Sequence, residues 1–390
     1  MRVAGAFANQ VTSVAVGWQV YDLTRDPFDL GLVGLIQFLP AVLLVLVTGA
    51  VADRYPRKAI ILTCNAVYFA GSLGLLLLTL AGNREVGPIF LALGVIGMAR
   101  AFNIPATTSL LPSLVPTAIL AAAFAWSSSA WQIATVLGPM TGGLLYDLSA
   151  AGAFAAAIVL NLLATGFAAA LPATPRIAHP DGTSWNALLG GIRYVWTRKA
   201  VLGAISLDML AVLMGGAVAL LPAVARDILD AGPTELGLLR AASGVGAILM
   251  ALYLARHPIR DRAGWAMLGG VAAFGLGNAL FGWSSWLWLS VLALLLVGAG
   301  DMVSVVVRQT VVQLWTPDRL RGRVNAVNAV FIGASNELGE FRAGTMAAWL
   351  GIVPAIVLGG IGAAGISVLW GWIFPDLRRI RRLDEGAARL

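Results

Sequence analysis

The sequence predicts an all-α membrane protein with twelve transmembrane helices in two pseudo-symmetric six-helix bundles. Three observations predict it. The first is composition: 59% of the 390 residues are hydrophobic and 12% are charged, where soluble domains carry about 25% charged residues. So apolar a chain cannot hide its surface in a water-soluble core, so lipid is its solvent. The second is run length. The Leu-, Ala- and Gly-rich runs are long and unbroken, which suits helices and excludes a barrel of short alternating strands. The third is an internal repeat, set out below.

A helix needs roughly 20 apolar residues to cross a bilayer. The first six spans fall at about 2–22, 30–51, 59–80, 87–109, 119–145 and 151–172. The second six fall at about 201–225, 234–255, 264–283, 286–308, 324–350 and 352–374. Span 1 is led by the single base Arg2 and is expected to remain as a signal anchor. The domains follow: an N-terminal bundle over 1–172, a linker over 173–200, a C-terminal bundle over 201–374 and a basic tail over 375–390. The linker opens on the Pro-rich PATPRIAHPDG. After it Trp185, Leu188, Leu189, Ile192 and Trp196 recur at helical spacing. That predicts an amphipathic helix along the membrane surface, with Arg193, Arg198 and Lys199 toward lipid headgroups.

Basic residues set the orientation. With both termini cytoplasmic, the inner side holds 19 of the 26 Lys and Arg, and the outer loops hold only Arg25, Arg84 and Arg226. The expected location is a bacterial cytoplasmic (inner) membrane. That asymmetry explains the net charge of +7 without nucleic acid as a partner. The expected partners are the bilayer and a small-molecule substrate, with the chain working as a monomer.

The halves resemble each other. An offset of 201 maps Gly97 to Gly298, Pro116 to Pro317, Gly138 to Gly339 and Gly143 to Gly344. An offset of about 202 maps Arg54 and Pro56 onto Arg256 and Pro258. Six-plus-six halves related by an axis along the membrane normal are one plan of secondary transporters.

Charges within spans carry most of the functional information, because each costs at least ~2.5–3.5 kcal/mol at the bilayer centre and by default faces a partner or a wet cavity. In span 4, Arg100, Asn103 and Thr107 share one face. In span 10, Asp301, Ser304 and Arg308 do the same. The offset makes Arg100 and Asp301 equivalent, with opposite sign. In span 7, Asp208 heads a stripe with Val212, Gly215 and Ala219; in span 1, Gln10, Ser13, Gly17 and Tyr21 fall on one face. Arg240 and Glu340 are expected to pair and brace the second half. Asp22 is expected to be solvated at the end of span 1.

Several motifs resemble the major facilitator superfamily over the whole chain. Gly49, Asp53, Arg54, Arg57 and Lys58 match the loop 2–3 signature G-x-x-x-D-R-x-x-R-K. Gly138, Pro139, Gly142 and Gly143 match the end of the span-5 antiporter signature, whose two upstream glycines are Ala125 and Ala134 here. Arg100 and Asn103 resemble the span-4 pattern R-x-x-Q-G, with Asn for Gln and Ile104 for Gly. Within the superfamily the chain resembles the twelve-span drug:proton antiporters, in the enterobactin exporter branch. VGWQVYDLT, LLPAVARDIL and PDRLRGRVNAVN carry the same likeness.

The resemblance implies that spans 1, 4, 7 and 10 line a cavity, with a cation at Arg100 and carboxylates at Asp208 and Asp301. It places Asp53 beside the start of a helix from the other half, where a carboxylate meets the positive end of a helix dipole. Arg57 and Lys58 are expected to pair across that seam, making the loop a gate. Pro139 removes a backbone bond and bends span 5, and the glycines allow close approach, which suits a hinge. A carboxylate buried beside another charge can take up and release a proton as its surroundings change. Asp208 and Asp301 are therefore the candidates for coupling, the alternative being static pairs that hold helices together. The implied function is export of small amphipathic molecules, drugs or siderophore-like compounds, by proton antiport. No cofactor is expected, the energy source being the proton gradient.

An enzyme is not expected. The two histidines, His179 and His257, lie in loops, and no nucleophile elbow or metal spacing appears. Cys64, the single cysteine, gives no disulfide or metal framework. Neither Lys58 nor Lys199 follows a glycine, so there is no P-loop. A nutrient symporter, a permease subunit driven by a separate ATPase and a non-transporting receptor remain as rivals. Tryptophans at span ends, such as Trp283, Trp286, Trp288 and Trp372, suit an interfacial belt. Trp18, Trp126 and Trp131 are placed to stack an aromatic substrate.

Overall fold

The computed structural model describes residues 1–116, 119–172 and 185–381. The Pro-rich start of the linker, His179 and the end of the basic tail lie outside the described residues. Every regular element among the described residues is helical. The first half runs α1 (Arg2–Thr24), α2 (Pro27–Leu43), α3 (Val45–Arg54), α4 (Arg57–Leu80), α5 (Gly87–Leu114), α6 (Leu120–Leu148) and α7 (Ala150–Ala169). The linker contributes α8 (Trp185–Thr197). The second half runs α9 (Lys199–Gly215), a 3₁₀ turn at Val218–Leu220, α10 (Leu221–Asp227), α11 (Pro233–Arg256), α12 (Ala263–Trp283), α13 (Leu287–Leu314), α14 (Asp318–Leu350) and α15 (Ile352–Ile373). A short α16 (Pro375–Arg378) follows. The twelve expected span positions are all helical. Eight helical segments among the described residues are long and apolar enough to cross a membrane.

Local sequence sets the ends. Asp26 caps α2 by accepting from the Phe28 amide at 2.9 Å, with Pro27 at the first helical position. Ser149 caps α7 by accepting from the Gly152 amide at 3.3 Å. Span 2 is not one rod: Pro40 lies inside α2, and the helix breaks at Leu44 before α3 begins. Span 7 breaks after Gly215.

The chain groups into two compact units. One holds Met1–Thr183 with Pro222–Ala241; the other holds Ser184–Leu221 with Ala242–Leu390. In the first, α4 packs on α5 and α7, α1 on α6 and α7, and α2 on α5. Val11, Leu75, Ile89, Leu93 and Phe154 make its core. In the second, α12 packs on α13 and α15, and α9 on α14 and α15, around Val201, Leu207, Met267, Val271, Val307 and Val311.

Polar and apolar surfaces are inverted relative to a water-soluble protein. Asn161, Asn278 and Ser290 are buried, while Leu91, Leu148, Val368 and Trp372 are exposed. Trp283, Trp286, Trp288, Trp349 and Trp372 sit at or next to helix ends with their rings outward.

The repeat is visible in packing. A Cβ on Gly97 would come 2.6 Å from the Gln37 carbonyl oxygen of α2, and one on its equivalent Gly298 would strike the Ser243 backbone of α11. A Cβ on Gly138 would come 2.6 Å from Gln10 of α1, and one on Gly339 would come 2.8 Å from the Val212 carbonyl of α9. So span 4 meets span 2 as span 10 meets span 8, and span 5 meets span 1 as span 11 meets span 7. Each contact is close enough that only glycine fits.

One side of the linker helix packs on protein: Val195 is buried in the core of the second unit, with Ile192 and Tyr194 packed beside it, while Trp196 is exposed. The side chains of Trp185, Leu188 and Leu189 lie outside the described set. A Cβ on Gly191 would come 2.8 Å from the Arg323 carbonyl of α14, and the Tyr194 hydroxyl donates to the Trp315 carbonyl at 2.6 Å. Two glycines in a row, Gly190 and Gly191, leave a flat face that fits protein better than lipid. Arg193, Arg198 and Lys199 remain exposed.

Candidate functional site

A buried ionic site lies in the second unit. Asp208 of α9 and Arg308 of α13 are both buried, 5% and 3% exposed. Arg308 Nε lies 3.4 Å from Asp208 Oδ1. The Ser304 hydroxyl, one turn before Arg308, donates to the same oxygen at 3.3 Å. Arg308 Nη1 donates to Asn328 Oδ1 of α14 at 2.9 Å. Asp301 is half-buried and within electrostatic reach of both Asp208 and Arg308. The helical spacing of Asp301, Ser304 and Arg308 thus becomes a wall of polar groups against α9. Two carboxylates and one guanidinium share this place, so one negative charge is left over when both acids are ionised.

Beside it, span 7 is discontinuous. After Gly215 the chain leaves the α-helix and resumes as the 3₁₀ turn and α10. The last turn of α9 therefore has carbonyls with no helical partner. Arg342 of α14 takes two of them: Nε donates to the Leu213 carbonyl at 2.8 Å, and Nη2 donates to the Met214 carbonyl. Nη1 rests on Met346 Sδ at 2.8 Å. Freed backbone groups inside a membrane must find partners, and a planar guanidinium reaches two at once. The sequence shows Arg342 only as a charge near Glu340; the break that gives it work arises from the Gly215–Gly216 pair.

The first unit holds a second ionic cluster. At the end of α1, Asp22 pairs with Arg226 of α10 and lies 4.0 Å from Arg25. Arg25 Nη1 lies 3.3 Å from Asp227 Oδ1, and the Tyr21 hydroxyl donates to Asp227. The Arg226 guanidinium sits over the Trp18 ring, 5.5 Å from its centre. The Thr234 hydroxyl donates to Asp147 of α6 at 2.9 Å, and Arg240 Nη1 donates to Ser13 of α1 at 2.7 Å. Asp22 is exposed, as expected, and is also an ion-pair partner. Its partner lies some two hundred residues away, which no local pattern signals. Trp18, offered for substrate stacking, already carries Arg226; Trp126 and Trp131 are exposed.

The span-5 motif serves the same unit. A Cβ on Gly142 would come 2.9 Å from the Val11 Cα of α1, and one on Gly143 would strike the Pro233 carbonyl of α11. A Cβ on Gly237 would in turn come 2.6 Å from the Pro139 carbonyl. Gly138 and Gly142 thus seat α6 on α1, while Pro139 and Gly143 seat it on the start of α11.

In span 4, the Thr107 hydroxyl donates to Asn103 Oδ1 at 2.9 Å, so the expected face exists on α5. Arg100 is half-buried on the same helix, within electrostatic reach of Tyr68. In the loop after span 2, Gly49 and Asp53 lie in α3 and Arg54 is exposed at its end. The Asp53 side chain lies outside the described set. Lys58, expected to reach the second half, instead caps α7 of its own half: its ammonium donates to the Ala169 carbonyl at 2.7 Å and to the Leu171 carbonyl. A lysine at a helix C-terminus satisfies orphan carbonyls and complements the dipole. Glu340 lies on α14.

Helix order, paired glycine contacts and buried ionic groups define a multi-pass membrane transporter of the major facilitator type. The family model described as transmembrane secretion effector matches residues 1–385. The chain belongs to that family. It is 29% identical over 378 residues to the enterobactin exporter EntS of Shigella boydii serotype 18, covering 95% of this chain and 89% of that protein. Among solved structures, a POT family transporter in complex with 5-aminolevulinic acid superposes with a TM-score of 0.75 at 13% identity, over 96% of this chain and 95% of that one. The inward-open xylose transporter XylE from E. coli gives a TM-score of 0.70 at 13% identity, over 100% and 98%.

Proposed function

We propose that this protein exports a small amphipathic molecule, siderophore-like or drug-like, across a bacterial cytoplasmic membrane by proton antiport with alternating access. The observation that carries the reading is the buried set of Asp208, Asp301 and Arg308. Two acids and one base form a neutral set when they hold one proton and carry one negative charge when it leaves. With one acid protonated, the Asp208–Arg308 pair is neutral as a whole; with both ionised, the surplus charge favours rearrangement or a cationic neighbour. Arg100, Asn103 and Thr107 share the polar face of α5 in the first unit. The likeness to enterobactin exporters favours catecholate or other amphipathic cargo over nutrient import.

In this reading the cluster of Asp22, Arg25, Arg226 and Asp227 is the latch of the outer face, and the Gly49–Lys58 loop is the gate of the cytoplasmic face. The Gly138–Pro139–Gly142–Gly143 segment is the hinge on which α6 moves. Half-exposed ion pairs suit a latch, because their individual worth is small and they reform readily in water.

The test is uptake into inverted vesicles energised by a proton gradient, with enterobactin and ethidium as cargo. Wild-type protein accumulates at least one of them, and a protonophore abolishes the accumulation. Asp208→Asn and Asp301→Asn each reduce proton-driven accumulation by about tenfold or more, within the range for losing a group that moves a proton. Accumulation that survives gradient collapse, or is normal in both variants, would remove proton coupling from the account.

A further inference from the structure

The transport reading makes no use of a concave basic site at one end of the second unit. It measures about 650 Å³ and is lined by Arg262, Trp265, Arg378, Arg379, Ile380 and Arg381. Two segments distant in sequence build it. The segment after α15 folds back over the start of α12. There the Ala263 amide donates to the Arg381 carbonyl at 3.1 Å, and the Gly264 amide donates to the Ile380 carbonyl at 3.0 Å. Leu377 and Ile380 are buried and pin that segment to the core. Gly264 makes the approach possible, since a Cβ there would strike the Leu377 carbonyl. Arg262 turns into α12 through a left-handed conformation, φ 56°.

The result gathers four guanidinium groups around one hollow. Arg262, Arg379 and Arg381 are exposed and Arg378 is half-buried. Among the described residues no carboxylate forms an ion pair with any of the four. Like charges held close together repel, and a site of this shape relieves the repulsion by taking an anion. The first two amides of α12 are already bonded to the folded-back segment, so the donors on offer are the arginine side chains. Arginine forks match the oxygens of phosphate.

Depth identifies the kind of phosphate. The hollow lies where α12 begins and α15 ends. Trp265 is outward-facing there, and Trp372 and Ile373 turn exposed apolar surface outward at the close of α15. Outward tryptophans at helix ends mark the height of lipid headgroups. A phosphodiester in the hollow has room for its acyl chains along the apolar faces of α12 and α15. We propose that this site binds the phosphate of an anionic phospholipid headgroup, anchoring the end of the second helical bundle to the membrane. Basic pockets between membrane helices are suited to such headgroups.

The experiment uses the full-length protein in detergent, titrated with cardiolipin, phosphatidylglycerol or phosphatidylcholine, with bound lipid counted by native mass spectrometry. A second arm adds millimolar inorganic phosphate. The anionic lipids are held about tenfold or more tighter than phosphatidylcholine. Arg379→Gln with Arg381→Gln weakens them by at least tenfold, since each arginine near a headgroup is worth about fivefold. Arg262→Gln alone, which leaves the folded-back segment intact, costs about fivefold. Arg256→Gln with Arg260→Gln removes equal charge outside the hollow and changes binding less than about twofold. Equal losses in both double variants, or none in either, would reduce the site to general surface charge and overturn the proposal. Full displacement of lipid by inorganic phosphate would assign the hollow to a soluble anion and overturn it as well.

Discussion

Two ionic clusters in this chain use the same residue types in opposite surroundings. Asp208 and Arg308 form a pair whose side chains are 6% and 4% exposed. Arg25 and Asp227 are 51% and 37% exposed, and Arg226 and Asp22 are 27% and 46% exposed. Attraction between unit charges scales inversely with the local dielectric, so the buried pair interacts far more strongly than the exposed ones. Its members also pay a larger desolvation cost, which each offsets only while the other is present. Burial therefore makes a pair that does not tolerate loss of a partner. Exposure makes contacts that come apart at little cost. A charge at the right spacing is no role in itself; the solvent around it decides.

The comparison is broken most severely by Arg308→Gln, which leaves Asp208 buried without its base. The expected loss is about 3–5 kcal/mol, seen as a lowered unfolding midpoint in detergent. Adding Asp208→Asn to it recovers more than half, because the fully buried lone charge is then gone and only the half-buried Asp301 remains. If the double change costs the sum of the two single ones, the buried pair is not a coupled unit.

A smaller effect is expected at the broken span. Arg342→Leu strips the Leu213 and Met214 carbonyls of their donors, at about 1–3 kcal/mol for each buried group. Hydrogen exchange of amides 211–220 rises in step. Arg342→Lys restores less than half, since one ammonium cannot hold both carbonyls as a planar fork does. Unchanged exchange in Arg342→Leu would mean that the break holds itself.

The smallest effect belongs to the exposed cluster. Arg226→Gln or Asp227→Asn costs less than about 1 kcal/mol, and wild type and variants converge as salt is raised past about 1 M, where screening reaches about 3 Å. A loss as large as that of Arg308→Gln, insensitive to salt, would erase the distinction between the two clusters.

Much of the site was legible before any coordinates. The spacing of Asp301, Ser304 and Arg308 put three polar groups on one helical face, and the structure turns two of them onto Asp208. The same reasoning paired Asn103 with Thr107. What it missed has one physical form: partners supplied by a distant segment. Asp22 was read without its partner because Arg226 is some two hundred residues away. Lys58 was aimed across the molecule because the two carbonyls at the end of α7 carry no signal in sequence. Trp18 looked free for cargo because a ring does not reveal the guanidinium above it. The amphipathic period of α8 is visible in sequence, but period alone does not show that Val195 packs into the protein core while Trp196 stays exposed.

The sequence by itself determined the solvent, the helical class, the doubled plan and the identity of the buried charges. Each follows from composition or from periodicity, which act locally and repeat along the chain. Only the tertiary structure decided who meets whom: Arg342 with the open end of α9, Lys58 with α7, four arginines around one hollow. Those choices depend on helices separated by long stretches of chain coming within a few ångströms, where a missing Cβ or an unpaired carbonyl outweighs anything a local pattern records.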